Sequence, residues 1–567
     1  SGVMTLTGNI SGNFALTTVA IGDITQSSAS VWSGTGTLIK EGSGTLILAG
    51  QNTMTGAMTV STGKLQLGAS GGATNTPLGT NAGGVTVSAG AVLDLSTFNL
   101  GGASTYETLN LTGTGIKNTG ALISSSSGSN NFGAMTVTTN ARVINSGSGT
   151  ITFGGTITAA ASVNFGIGGT GPVTISGVYG ATATTATITK WDSGILTIGA
   201  ASITTGLVRI NGGTLKYGIA DALATPAVTV AGGTWDLNGF SEGGTTVLGA
   251  LTLIDGSIVN TGGAATITSS AAYTVEKGTI SAVLAGAAIA MNKNTGGTVT
   301  LSAANTFAGL TTINAGTLAW GINDALSSGN LTVTGGYANL GTRTDTVGTV
   351  TLTSGGITGT SGVLTGTSYA MQSGTVSAVL AGGIALAKTT AGTLIMTNTN
   401  TYSGTTTITA GTIRATSSGG LGDGSGTNTL IFNGGTLQAG GDISSPSGRA
   451  VTLTSSGLID TNGYTINFAG TVGSASGFTK YGTGTLTTSG AVTLGNAMSI
   501  THGTYNQAGS LNMTSGTVTI ASPGTWSNVG TGAVTLAGAV TNSGVITLNS
   551  NNGSQCVDGA NSILVRS

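Results

Sequence analysis

Charge is what this sequence has least of. Its 567 residues include only 15 Lys+Arg and 16 Asp+Glu, 5% of the chain, where an ordinary soluble domain carries roughly a quarter. Solubility therefore cannot rest on ionised side chains. A net charge of −1 excludes the basic face that nucleic-acid binding requires. The single cysteine, Cys556, excludes an internal disulfide and leaves only an intermolecular one. The one histidine, His502, sits at a Thr-His-Gly turn, and no G-x-S-x-G elbow accompanies it, so a Ser-His-Asp triad is not expected. There is no CxxC, no HExxH and no calcium loop, because the carboxylates are scattered singly; Asp423 reads as a turn residue. No cofactor or metal is expected. No stretch approaches the ~20 apolar residues of a membrane helix. No basic-then-apolar leader opens the chain, and a start at Ser1 fits a mature, processed N-terminus.

What the chain has is 102 glycines, abundant Thr, Val and Ile, and a mean hydropathy of +0.33. Disordered chains are poor in apolar residues, whereas 38% of this one is hydrophobic, so it should fold. β-branched residues favour strands, and the composition is uniform from end to end. The expectation is all-β, in one elongated body.

The order of residues repeats. From Lys40 the chain reads Gly44, Thr45, Leu46, then Asn52, Gly56, Gly63 and Leu65. From Lys293 it reads Gly297, Thr298, Val299, then Asn305, Thr306, Phe307, Gly316 and Leu318; from Lys388 it reads Gly392, Thr393, Leu394, then Asn400, Thr401, Tyr402, Gly411 and Ile413. Weaker copies follow Lys190 and Lys480, the latter with Gly484. The spacers repeat as well: Tyr273–Gly286 matches Tyr369–Gly382, and Gly218–Leu223 matches Gly321–Leu326. Self-similarity at this scale is the signature of a stacked solenoid. Short strands alternate inward and outward residues, glycines serve the corners, and outward threonines stack between coils. The lysines read as corner markers, too far apart to form an anion-binding stripe.

This order resembles the autotransporter-associated β-strand repeat of bacterial secreted and surface proteins. The resemblance implies a right-handed parallel β-helix and an extracellular or cell-surface location, and it brings no catalytic residue. Members of that family close on a membrane β-barrel; this chain ends Ser562, Ile563, Leu564, Val565, Arg566, Ser567, so the barrel is expected to be removed or absent.

Three segments are expected: 1–33 as an N-terminal capping or assembly segment, 34–509 as solenoid with repeats starting near 34, 190, 293, 388 and 480, and 510–567 as terminal coils. Strand-like Met4 and Leu6 at one end, with Ile563, Leu564 and Val565 at the other, are candidate assembly contacts, because an uncovered terminal coil templates further strands. The primary expectation is a structural subunit of an extracellular fibre, sheath or layer with itself as partner. The alternatives are a passenger or adhesin stalk meeting surface proteins or glycans, and a glycan-active enzyme using Asp221 and Asp236 near Arg209, disfavoured because Asp324 and Asn339 repeat their positions.

Overall fold

The computed structural model describes residues 3–100, 107–180, 185–202, 206–244 and 247–548; Cys556, Ile563, Leu564 and Val565 lie outside them. Most strands have three or four residues and alternate with tight turns, the longest being Asn130–Asn145, and pairing between the named strands is parallel. Two short 3₁₀ turns, Ile116–Asn118 and Ser418–Leu421, are the helical elements among the described residues. The chain is a parallel β-solenoid, divided into two compact units, Ser1–Ile289 and Ala290–Ser567.

In the first unit, Thr45–Leu48 pairs with Lys64–Leu67, which pairs with Val92–Asp94 and then Leu122–Ser124. Register places Leu46, Leu65, Leu93 and Leu122 in one column, each with no exposed surface. Period-two alternation puts every second residue inside, and each such leucine contributes roughly 1.5–3 kcal/mol by burial. Phe132, Phe153, Phe165 and Tyr179 extend the core as an aromatic run with ring centroids 5.8, 6.1 and 6.1 Å apart. Outside, Thr152, Thr174 and Thr197 stack in register.

The second unit follows the same rule. Val299, Leu318, Ala338 and Ile357 form an inner column, and Thr312, Thr332 and Thr351 an outer one. A further face runs through Ile443–Ser445, Thr465–Phe468, Thr485–Thr488, Thr504–Gln507 and Thr525–Asn528. Even the spacer repeats keep their contacts. The Tyr273 hydroxyl donates to the Ile267 and Ala285 carbonyls at 2.8 and 2.7 Å, and Tyr369 does the same to Leu364 and Ala381 at 2.7 and 2.8 Å.

Candidate functional site

The five repeat lysines do not lie on the surface. Each stands two residues after an inward apolar residue, Leu38, Ile188, Met291, Leu386 or Phe478, so strand alternation drives it into the core. Lys40, Lys293, Lys388 and Lys480 have no exposed surface, and Lys190 has 1%. A buried ammonium survives only when fully hydrogen-bonded, and the turns supply the acceptors. Lys40 Nζ donates to the carbonyls of Glu41 (2.8 Å), Gly42 (2.8 Å) and Thr62 (3.1 Å). Lys480 Nζ donates to Tyr481 O (2.9 Å), Gly482 O (2.7 Å), His502 O (3.0 Å) and Thr461 Oγ1 (2.9 Å). Lys293 reaches Thr295 O and, at 3.2 Å, Ala315 O; Lys388 reaches Thr390 O and, at 3.0 Å, Ala410 O; Lys190 reaches Trp191 O and, at 2.9 Å, Asp192 O.

One acceptor in each of four cages belongs to the lysine's own turn and another to the turn 22 residues on. The lysines therefore fasten coil to coil as well as closing corners. Burial lowers the Lys40 and Lys388 ammonium pKa and pushes Lys190 and Lys480 down to about 8, with Asp192 and Asp460 respectively opposing the shift.

The glycine after each cage is obligatory. Gly411 has φ +66°, and a Cβ there would lie 2.5 Å from the Gly392 carbonyl, the Thr390 carbonyl and Lys388 Nζ alike. Gly392, Gly297, Gly44 and Gly484 accept the main-chain N–H of the strand that opens the next coil's second face, Thr412, Thr317, Lys64 and Thr504, at 2.9–3.3 Å. Leu46 is fully buried.

The repeat asparagines are also internal. Asn52 Oδ1 accepts from Gln26 Nε2 (2.7 Å) and Trp32 N (2.8 Å), while its Nδ2 donates to Pro77 O (2.7 Å). Asn305 Nδ2 donates to Ala325 O at 2.7 Å, and Asn400 bridges Leu380 N (2.8 Å) and Gly420 O (3.1 Å). Arg449, 1% exposed, is held by Asn428 Oδ1 (2.7 and 2.9 Å), Gly422 O (2.8 Å) and Ser418.

Three buried carboxyls, Glu107, Glu242 and Asp345, escaped the sequence reading. Tyr217 Oη and Leu223 N donate to Glu242 Oε2 at 2.6 and 3.3 Å, over 25 and 19 residues; the Trp320 indole N–H and Leu326 N donate to Asp345 Oδ2 at 2.5 and 2.9 Å, over the same 25 and 19. Burial pushes the Glu242 carboxyl up to about 7 against the Tyr217 and Leu223 bonds, and it raises Asp345 as well. Glu107, beside Thr76, is likewise pushed up to about 7 by burial.

The residues weighed for catalysis are engaged in separate turns. Asp221 Oδ1 accepts from Gly243 N and Gly244 N at 3.0 and 2.9 Å; Asp236 accepts from Asn238 N (2.9 Å), Thr261 N (3.1 Å) and Thr261 Oγ1 (2.7 Å); Arg209 donates to Asn211 Oδ1 at 2.9 Å. Asp423 accepts from Ser425 N at 2.9 Å, as a turn residue does. The His502 ring packs edge-on to Tyr481 at 4.8 Å. Among the described residues no cluster of three or more His, Cys, Asp or Glu could hold a metal, and no helix is long and apolar enough to cross a membrane. Met4 and Leu6 form a strand, Met4–Leu6, in register with Ile24–Gln26.

Comparison with known proteins points the same way as the cages. A family profile described as passenger-associated-transport-repeat matches residues 38–67, 188–216, 292–319 and 386–415, ranges that open within two residues of Lys40, Lys190, Lys293 and Lys388. The chain is also similar to the adhesin BmaC autotransporter of Brucella suis biovar 1 (strain 1330), 35% identical over 142 residues, or 25% of this chain and 4% of that protein. The chain thus matches a small fraction of that relative's length. No solved structure matches. Lys480 carries the same cage outside the matched ranges, which adds a fifth copy by geometry.

Proposed function

Because the chain belongs to the family of autotransporter-associated repeats, we propose that it is a stalk portion of a surface-exposed or secreted bacterial passenger with an adhesive, non-enzymatic role. The observation that carries this reading is the coincidence of each matched repeat with a buried lysine cage, which in three of the four ties one coil to the next. In a stacked repeat array structure propagates from one coil to its neighbour. Cages built from a turn and its successor suit that order. This reading displaces the fibre subunit expected first, because the matched repeats and the similar adhesin both support a passenger.

Antibody against the chain, applied to intact bacteria that produce the full-length protein, tests the proposal. Labelling without permeabilisation, together with reduced attachment to host cells when residues 38–415 are deleted in frame, is the expected result. Labelling only after permeabilisation sinks it.

A second reading, self-association through the first coil, is favoured by one feature. Phe14 and Ile21 are 84% and 82% exposed in the turns on either side of the strand Leu16–Val19, and apolar side chains exposed together mark a contact surface.

A further inference from the structure

The chain has five tryptophans. Trp32, Trp235, Trp526 and Trp320 are at most 5% exposed, whereas Trp191 is 39% exposed. It stands at the edge of a surface pocket of about 250 Å³ that is walled also by Asn118, Asn140, Arg142, Asn164 and Gly166. Successive coils build this pocket: Arg142 is in register with Gly166, and Gly166 with Thr189. Three features set it apart from the Thr-lined surface elsewhere.

The first is the floor. Gly166 lies within the strand Asn164–Gly168, where glycine costs stability. No turn demands it, since a Cβ there would find its nearest atoms, Trp191 Nε1 among them, at an ordinary 3.6 Å. A missing side chain at a position that could hold one leaves a hollow.

The second is the set of polar groups. Asn140 Oδ1 accepts from Asn164 N at 2.8 Å, and Asn164 Oδ1 accepts from Thr189 Oγ1 at 2.9 Å. Their amide nitrogens have no partner among the described residues and stay available as donors. Arg142 Nη1 donates to Asn118 O at 3.3 Å, while its shielded Nε has no partner among the described residues. An orphaned donor marks hydrogen bonding that something else completes.

The third is the pairing of charge with an aromatic ring. The Arg142 guanidinium lies 6.0 Å from the Trp191 ring centroid, and its Nη2 is 3.6 Å from Asp192 Oδ2. The carboxylate offsets the cation, so the pocket has little net charge, which disfavours an anionic ligand. An amphipathic indole beside fixed amide and guanidinium donors is the usual makeup of a small-ligand site, mostly apolar contact with a few placed polar groups.

We infer that this pocket binds a neutral pyranose unit of an extracellular glycan. The C–H face of the sugar ring rests against Trp191, and its hydroxyls meet Asn140, Asn164 and Arg142. The inference rests on the passenger reading only in that a glycan site requires an extracellular location.

Trp191, the tryptophan with substantial exposure, reports occupancy directly. The purified chain is titrated with methyl α-mannoside, lactose and tri-N-acetylchitotriose, with 3′-sialyllactose as the acidic arm, while tryptophan emission is followed. A blue shift with at least one neutral sugar is expected, half-saturating near ~1 mM, the range of a single shallow subsite. Trp191→Phe abolishes the shift, and Gly166→Val, which fills the floor, weakens binding at least ~10-fold (about 1.4 kcal/mol); both keep the wild-type unfolding midpoint. No response to any neutral sugar, a response only to 3′-sialyllactose, or a shift that persists in Trp191→Phe overturns the assignment. Cell labelling is independent: sugar binding without surface labelling defeats the passenger reading and leaves the pocket standing, while surface labelling without sugar binding does the reverse.

Discussion

The Lys480 ammonium donates to the main-chain carbonyl of His502 at 3.0 Å, across the step from one coil to the next. Of its other acceptors, Tyr481 O and Gly482 O close its own corner, and Thr461 Oγ1 belongs to the coil before. Lys480→Met keeps the buried methylene stem and removes the donor, leaving carbonyls without partners in the core. The expected loss is about 3 kcal/mol, measured as a lowered urea midpoint, with faster amide exchange at residues 501–504. An unchanged midpoint would show that water replaces the ammonium and that the cage is not a fastener.

Gly411→Ala tests the same corner from the other side. The added methyl meets two carbonyls and the Lys388 ammonium at 2.5 Å, at a φ of +66° that disfavours any L side chain. A loss of roughly 2–4 kcal/mol is expected. Gly199→Ala, whose nearest contact would be 3.5 Å, should cost under about 1 kcal/mol by the same assay.

Stability should be lowest between about pH 7 and 8. Glu107 and Glu242 titrate near 7 when folded against 4.5 as their ordinary value, so the folded state holds their protons longer; stability is full below about 4.5 and falls as pH rises to 7. Lys190 and Lys480 titrate near 8 against 10.5, so the unfolded chain holds more protons between those values and stability recovers as pH rises. Above pH 10 it falls again, because Tyr273, Tyr369 and Tyr505 keep their protons to about 12 in the fold. Each buried carboxyl or lysine contributes at most about 3 kcal/mol to this curve. Urea midpoints from pH 4 to 11 would show the dip, and a dome centred near neutrality would contradict it.

How much of this was legible in the sequence differs from residue to residue. The stacked strands were, since Thr, Val and Leu alternate between glycines and the blocks keep their order. The repeat lysines were recognised, but as corner markers; the signal for burial was the apolar residue two positions earlier, as in Leu38 before Lys40 and Phe478 before Lys480, which fixes the lysine on the inner face. Glu242 and Asp345 were not singled out, because the residues beside them share no motif. The available signal was the matched blocks Gly218–Leu223 and Gly321–Leu326: each is preceded by an aromatic donor and ends in a leucine N–H donor, and the carboxyls lie 25 and 19 residues beyond these. Trp191 follows a repeat lysine directly, so the alternation that puts Lys190 on the inner face turns the Trp191 ring outward, a signal lost when the lysine is read only as a corner marker.

Glu242→Gln keeps acceptors for Tyr217 and Leu223 and removes the titration. At pH 8 the variant should be about 1–3 kcal/mol more stable than the wild type, because no buried carboxylate has to be formed. Below pH 4.5 the two should coincide. A less stable variant at pH 8 would mean that the Tyr217 hydroxyl needs a carboxylate partner.

Self-association through the first coil predicts concentration-dependent mass by light scattering, lost in the double variant Phe14→Ser, Ile21→Lys. A wild-type chain that stays monomeric at all concentrations removes this reading.

The cages also bear on error. A sequence so rich in Thr, Gly and Val offers many near-equivalent alignments, and a slip of one residue would turn each strand's inner set outward. Such a slip already exposes inner leucines, valines and isoleucines, at roughly 1.5–3 kcal/mol for each side chain. A slipped lysine adds to that cost, since it would lose both its own turn and the turn 22 residues ahead. The lysines therefore make the cost of misalignment heaviest where the coils are fastened, and hold the register of the small-residue strands between them.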